Sequence, residues 1–499
     1  MSKTTIEAPI PPVRIDTTSP IPLYHQLYMS LRDAILSGQL TPGMRLPATR
    51  ALASALQISR NTVVNAFDQL LAEGYLEGRV GDGTYVTRTL PDELLKVTQQ
   101  PLVTTVEPTQ DRRLSKRGEL LARTTVTTEK QKGRSFAFRP GIPAFDAFPF
   151  DIWSRLAARR WRQPTGDLLN YSDAAGYRPL REAIATYLGA ARGVRCVPEQ
   201  VLIVSGSQQG IDLAARVLLD PDDAVWFEEP GYLGARAALI AAEAQLIPVP
   251  VDEEGLQITK GLACCPNARM AYVTPSHQFP LGVTMSLARR LALLKWARHT
   301  GAWVLEDDYD SEYRYAGRPL ASLQGLDNTG RVIYLGTFSK VLFPSLRLGY
   351  LVVPPDLVDP FTAARAIADR QAPILDQAIV TDFIEEGHFT RHIRRMRTLY
   401  AERQSLLVDL AQRELAGRLT VQASDAGMHL VGWLKDGTND QVVSEFAATH
   451  GVDSPGLSEY HLDSSEKSGI LLGYTAVEEQ DIRIGVQDLE KALSAVDRL

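Results

Sequence analysis

Residues 334–353 read YLGTFSKVLFPSLRLGYLVV. An apolar run ends near Gly336, Lys340 follows, and Arg347 stands seven residues further on, before a second apolar run. An isolated lysine past a strand end is ordinarily a solvated surface residue. Here the surroundings argue otherwise. Five more apolar runs have the length of strands: VLIVSG (201–206), DAVWFEE (223–229), MAYVTP (270–275), WVLEDD (303–308) and LGYLVV (348–353), beside VIYLGT (332–337) itself. Helical patterns such as SLARRLALLKWARHT (286–300) lie between them. Continuous apolar strands separated by helices predict a mostly parallel sheet covered on both faces. Such sheets bind ligands at the carboxyl ends of their strands.

The strand ends carry a coherent set of groups. After WVLEDD come Asp307, able to pair a protonated ring nitrogen, and Tyr309, able to hydrogen-bond a phenolic oxygen. After VLIVSG, Ser207 and Gln208 open a helix whose N-terminal N–H groups favour an anion. Tyr232 in EEPGY offers a ring to stack on a flat molecule, and His277 in PSHQFPLG offers a polar neighbour. Thr337, Ser339 and Arg347 add hydroxyls and a cation for a phosphate. An amine, a ring-pairing carboxylate, an aromatic partner and a phosphate cup are together what pyridoxal phosphate requires.

Residues 15–88 have a different character. PLYHQLYMSLRDAILSGQL (22–40) spaces Leu27, Leu31, Ile35 and Leu36 at helical intervals. The next stretch predicts a helix over 49–56, a turn at Gln57–Ile58, and a second helix from Ser59 to Gly74. In that helix Ser59 is the N-cap, and Val63, Phe67, Leu70 and Leu71 form the inward stripe. EGRVGDGTYV then predicts a two-strand ribbon. This is the order of a winged helix-turn-helix. Between Thr41 and Phe67 there are three arginines, Arg45, Arg50 and Arg60, and no acid. Arg60, Asn61 and Thr62 open the helix that would enter a major groove. Thr49 and Arg50 are placed for phosphates, and Gly83 in the wing for the backbone or minor groove. Residues 89–133, rich in Thr, Gln, Lys and Arg, read as a linker, and 134–499 as the larger domain.

The motif G-x-L-x-P-G-x-R-L-P-x-x-R-x-L-A at 38–53 resembles the GntR-family DNA-binding domain. The motif S-K-x-x-x-P-x-x-R-x-G-Y at 339–350 resembles the lysine signature of the aspartate-aminotransferase fold, fold-type I, dependent on pyridoxal phosphate. Together they resemble the MocR/GabR family of bacterial transcriptional regulators. That resemblance implies that Lys340 is the Schiff-base lysine, that Asp307 meets the pyridine nitrogen, and that Tyr309 meets the ring hydroxyl. It implies that Ser207, Gln208, Thr337, Ser339 and Arg347 hold the phosphate. Tyr171, in NYSDAAGYRPLR, matches a tyrosine that reaches the partner subunit's phosphate in a homodimer; plain core packing is the other reading.

Aminotransferases of this fold clamp the substrate carboxylate with an arginine two residues before a glycine on a late strand. Here Leu471 takes that place, and Arg483 lies beyond, in a helical pattern. Leucine cannot replace a bidentate clamp. Efficient transamination is therefore not expected, beyond weak turnover or half-reactions. A regulator sensing pyridoxal phosphate or a small amine or amino acid, and controlling vitamin B6 or amino-acid metabolism genes, is expected instead. A working aminotransferase with an accessory DNA-binding domain is the alternative.

Bulk properties agree with this division. A chain of 499 residues exceeds a single core. The net charge of −6 confines nucleic-acid binding to a local patch. Cys196, Cys264 and Cys265 provide no zinc or disulfide framework, so no metal is expected. No apolar run spans a bilayer and no secretory leader opens the chain, which points to the cytoplasm. The expected partners are double-stranded promoter DNA, a small effector and a second copy of the chain.

Overall fold

The computed structural model describes residues 13, 15–16, 19–79, 82–89, 113–124, 137–317, 320–463 and 467–498. The chain divides into two compact units, Met1–Arg113 and Leu114–Leu499.

In the first unit, α1 (Leu23–Leu36), α2 (Thr49–Leu56) and α3 (Arg60–Ala72) precede a ribbon of β1 (Leu76–Arg79) and β2 (Gly83–Val86). Ser59 caps α3: its Oγ accepts from the Thr62 N–H at 3.1 Å. Gln57 takes a left-handed φ of 56°, which ends α2 and turns the chain. Leu27, Leu31, Ile35, Leu52, Val63, Phe67 and Leu70 form the centre of the core. Leu36 does not join it. It sits in the last turn of α1 and is exposed, since a helical stripe drifts off the buried face at the end. Leu71 packs only at the rim. Val80 and Gly81, part of the expected wing tip, lie outside the described residues.

The stretch expected to be a linker is described at 113–124. There a helix, α4 (Lys116–Arg123), is capped by the Ser115 hydroxyl, and Arg117 pairs with Glu243 at 3.6 Å. The rest of that stretch, apart from Thr89 at its near edge, lies outside the described residues.

The larger unit is built on an eight-stranded sheet in the order β3-β10-β9-β8-β7-β4-β5-β6. Its strands are β3 (Val201–Val204), β4 (Ala224–Glu229), β5 (Gln245–Asp252), β6 (Gly255–Leu256), β7 (Met270–Val273), β8 (Trp303–Asp308), β9 (Val332–Thr337) and β10 (Gly349–Val352). All six apolar runs fall in this sheet. The pairs among β5, β4, β7, β8 and β9 are parallel, whereas β10 runs antiparallel to both neighbours. Only eleven residues separate β9 from β10, too few for a crossover helix, so the chain must turn back. β5 was not legible as a strand: Pro248 and Pro250 interrupt its pattern, and its exposed positions place it near the edge of the sheet. Separate apolar clusters cover the two faces. A second, antiparallel sheet of β11 (Leu419–Val421), β12 (His429–Leu434) and β13 (Gly469–Gly473) packs on the C-terminal helices. No helix among the described residues is long and apolar enough to cross a membrane.

Candidate functional site

The parallel strands converge on a cavity of about 740 Å³ lined by Ser207, Tyr232, Asp307, Tyr309, Lys340 and His429, among others. All of these but His429, which opens β12 of the small sheet, follow or close a strand of the large sheet, because strands that share a direction end together on one side of it.

Lys340 lies three residues past β9. Its Nζ donates to the Gly141 carbonyl at 2.9 Å and makes no ion pair among the described residues. Burial lowers its pKa below the ordinary lysine value, with Asp310 and Asp307 opposing that shift. The amine is therefore poised closer to its neutral, nucleophilic form. Gly141 itself has a left-handed φ of 73°, and a Cβ there would stand 2.8 Å from Nζ, so a side chain would collide with the lysine.

Asp307, at the end of β8, is buried. Its Oδ2 accepts from the Tyr272 hydroxyl at 2.7 Å, and its Oδ1 has no partner. Burial pushes its pKa up to about 7, with Asp308 adding to the rise while the Tyr272 hydrogen bond and Lys340 oppose it. A buried carboxylate oxygen without a donor is costly. A protonated ring nitrogen is the kind of group that would satisfy it. Two residues on, the Tyr309 hydroxyl lies 2.9 Å from His277 Nδ1, which also meets Asp310 Oδ2 at 3.0 Å. The His277 ring is held between Gly282 and Gly427, where a Cβ at 427 would overlap it.

The anion-binding corner is formed at α5 (Ser207–Leu218). Gly206, its N-cap, has φ 95°, and the Arg347 guanidinium lies 3.5 Å from where a Cβ would stand there. The Arg347 guanidinium makes no hydrogen bond or ion pair among the described residues, so a free cation sits at a helix N-terminus. Ser207 lines the cavity. Thr337 is buried, its Oγ1 accepting from the Ser339 N–H at 3.1 Å, and Ser339 is half-buried.

Two residues lie outside this corner. The Gln208 side chain does not join this corner; its Nε2 donates to the Gly234 carbonyl at 2.8 Å, tying α5 to the next helix start. Tyr171 is not packed in the core. It is 76% exposed and lies outside the cavity, with Arg370 stacked 4.6 Å from its ring centroid.

Several lining groups were not legible in the sequence. Tyr272 read only as part of a buried strand, and Gly141 carried no motif. Phe279 packs edge-on against Tyr232, Tyr309, His429 and Tyr460 at 5.3–6.1 Å between ring centroids. Asp310, at the close of DDYD, was the one with a visible signal. Leu471 is fully buried on β13 beside Leu233, Val431 and Tyr460, so the wall at that point is apolar. Arg483 lies exposed on the helix Glu479–Val496.

On the first unit Arg45, Arg50, Arg60 and Asn61 are exposed, Thr49 is half-buried, and the three arginines make no ion pair among the described residues. Gly83 is exposed with φ 129°, and the Arg45 Nε lies 3.1 Å from where its Cβ would be. Thr62 differs in one respect: its hydroxyl is 2.8 Å from Ser59 Oγ, which draws it into the helix cap. Among the described residues no cluster of His, Cys, Asp or Glu could hold a metal ion.

Residues 146–496 match the family described as aminotransferase class I and II, and residues 23–86 match the bacterial regulatory proteins of the gntR family. The probable rhizopine catabolism regulatory protein MocR of Rhizobium meliloti is 44% identical over 97% of this chain and 96% of its own length. The pyridoxine biosynthesis transcriptional regulator PdxR of Corynebacterium glutamicum is 31% identical over 97% of this chain and 98% of its own. Among solved structures, the α-aminoadipate aminotransferase LysN of Thermus thermophilus, complexed with a phosphopyridoxyl-leucine, is 30% identical. It superposes with a TM-score of 0.68 over 73% of this chain and 93% of that one. The kynurenine aminotransferase of Pyrococcus horikoshii is also 30% identical, with a TM-score of 0.67 over 79% and 97%.

Proposed function

The chain belongs to the MocR family, in which a GntR-type DNA-binding module is joined to an aminotransferase-like body, and from that premise we propose a transcriptional regulator that binds pyridoxal phosphate and reads a small amine. The observation that carries the cofactor reading is Asp307, a buried carboxylate with one oxygen unpaired, in the same cavity as Lys340. The residues present fit the group. Asp307 Oδ1 would accept from the ring nitrogen, Tyr309 and His277 would flank the ring oxygen, and Tyr232 would cover a face. Ser207, Thr337, Ser339 and Arg347 would hold the phosphate, with Gln208 contributing through its backbone alone.

Bound there, pyridoxal phosphate supplies an aldehyde that combines with amines. Lys340 contributes an amine whose pKa burial lowers, against the opposing pull of Asp310 and Asp307. Phe279 and Tyr460 give the cavity apolar wall. Tyr171, exposed beside Arg370, is suited to meet the phosphate of a second copy, and we infer a homodimer.

Leu471 disfavours amino-acid turnover, so the large unit acts as a sensor with at most weak transaminase half-reactions. The greater likeness to a regulator named for rhizopine catabolism favours a catabolic gene set over one for cofactor synthesis. The likeness to aminotransferases, at 30% identity, keeps true turnover as the second reading. The test is borohydride reduction of the purified full chain followed by peptide mapping, with promoter-fragment binding measured in parallel. A pyridoxyl label on Lys340, and DNA affinity or footprint that changes with cofactor or amine, are expected. Label elsewhere, or DNA binding indifferent to both, ends this reading.

A further inference from the structure

His429 is a cavity residue that neither the sequence pattern nor the cofactor reading uses. It opens β12, whose side chains alternate. Met428, Leu430 and Leu434 face the helical core, while Val431 joins the opposite cluster with Leu471 and Tyr460, and Trp433 packs against that cluster. Across the sheet Val431 pairs with Leu471, and His429 pairs with Gly473. His429 thus stands on the face of the small sheet that carries Leu471, one step along from it.

The protonation of the imidazole is fixed by its surroundings. Nε2 lies 2.9 Å from the Pro280 carbonyl, which can only accept, so Nε2 carries the hydrogen. Burial, with His277 nearby, pushes the pKa down to about 3, so the ring is neutral at ordinary pH. Nδ1 is therefore a lone-pair acceptor, and it meets no donor among the described residues. The ring is clamped edge-on between Phe279 and His277, at 5.3 and 5.1 Å between centroids, so it cannot turn away.

We propose that His429 is the residue that reads the effector, accepting through Nδ1 a hydrogen bond from a hydroxyl of a primary amine that carries no carboxylate on its amino carbon. This rests on the cofactor reading above and deepens it. The carboxylate is disfavoured because Leu471 supplies no charge on this face. The two guanidiniums at the cavity wall are already engaged: Arg139 with Asp453 at 2.5 Å, and Arg236 with the backbone carbonyls of His461 and Glu459. A second ammonium at this ring is disfavoured because a neutral imidazole cannot offset the cost of burying a charge, and the wall carboxylates come from other elements: Asp453 is paired with Arg139, and Glu445 is exposed on the helix Asp440–Thr449. A neutral donor is what remains, and a site built to bond a hydroxyl rejects analogues that lack it.

Three probes share one skeleton: 2-amino-1,3-propanediol, L-serine and isopropylamine. Each is titrated into the cofactor-loaded full chain while the absorption of the bound cofactor is followed. The diol is expected to act at about tenfold lower concentration than either of the others, the worth of one well-made hydrogen bond. H429L should erase that preference. H429Q, whose amide can keep the bond to Pro280 and still carries an acceptor oxygen, should keep part of it while melting close to the parent protein. Equal responses to the three probes overturn the proposal. So does a preference for serine, no response at all, or a preference that survives undiminished in H429L; in these cases the cofactor band remains and the cofactor reading stands. Absence of any cofactor band defeats both readings together.

Discussion

The two units leave polar groups unsatisfied in opposite directions. On the first, Arg45, Arg50 and Arg60 are exposed and have no acidic partner among the described residues, so the unmet charge is open to water. In the second, the unmet groups are buried: Asp307 Oδ1, Asp310 Oδ1 and His277 Nε2 have no partner and little water. Exposed charge costs little to leave waiting and gives a screened, long-reach attraction for a polyanion. Buried polar atoms cost stability until a ligand of matching shape arrives. The first arrangement suits a partner recognised by its field, the second a partner recognised atom by atom.

The comparison breaks most sharply at Lys340. K340A should abolish borohydride-stable labelling by pyridoxal phosphate while leaving the first unit's fold untouched; residual labelling of the variant would show that the buried set does not act through this amine. Next in size is the burden of buried acid in the cofactor-free protein. Burial pushes Glu228, Glu306, Asp307 and Glu312 up to about 7. These carboxyls hold protons in the folded state that the unfolded chain has already lost. Their contribution is therefore complete below the unfolded carboxyl pKa and is lost as pH rises toward 7. Melting temperature of the cofactor-free chain should fall between pH 5 and 8. D307N should flatten that fall by on the order of a few kcal/mol, and a curve unchanged by the variant would refute the assignment.

On the outer side, R60A should weaken specific promoter binding by roughly 1–3 kcal/mol, as loss of a base contact does, with little change in melting. R45A and R50A should each lower the slope of log affinity against log salt by about 1, uniformly across sequences. A salt slope untouched by either would remove them from the phosphate set. Smallest of all, S59A should cost about 1 kcal/mol of stability in the first unit through loss of its cap, read by thermal melting.

The difference also explains what could be read from the chain alone. The helix boundaries of the first unit follow from local chemistry, since Ser59 and Gln57 act within a turn of where they stand. The strand ends of the second were legible because apolar runs stop abruptly at Asp307, Thr337 and Ser205. Contacts made across long separations were not. Nothing near Gly141 announces that its carbonyl meets a lysine 199 residues later, nothing in MAYV marks Tyr272 as the support of Asp307, and His429 looked like one more strand residue. Gln208 misled for a related reason: the motif fixes its backbone at the helix start, while its side chain answers to Gly234.

The hold of Gly141 on Lys340 has a mechanical consequence. Whatever engages Nζ does so beside that carbonyl, which already takes one of its hydrogens. The same short run of backbone is stitched to the small sheet and to the segment before it: the Gly473 N–H donates to the Phe138 carbonyl, and the Asp453 N–H to that of Ala137. A lysine that leaves this carbonyl thus uncovers an acceptor on the very run of backbone that borders β13.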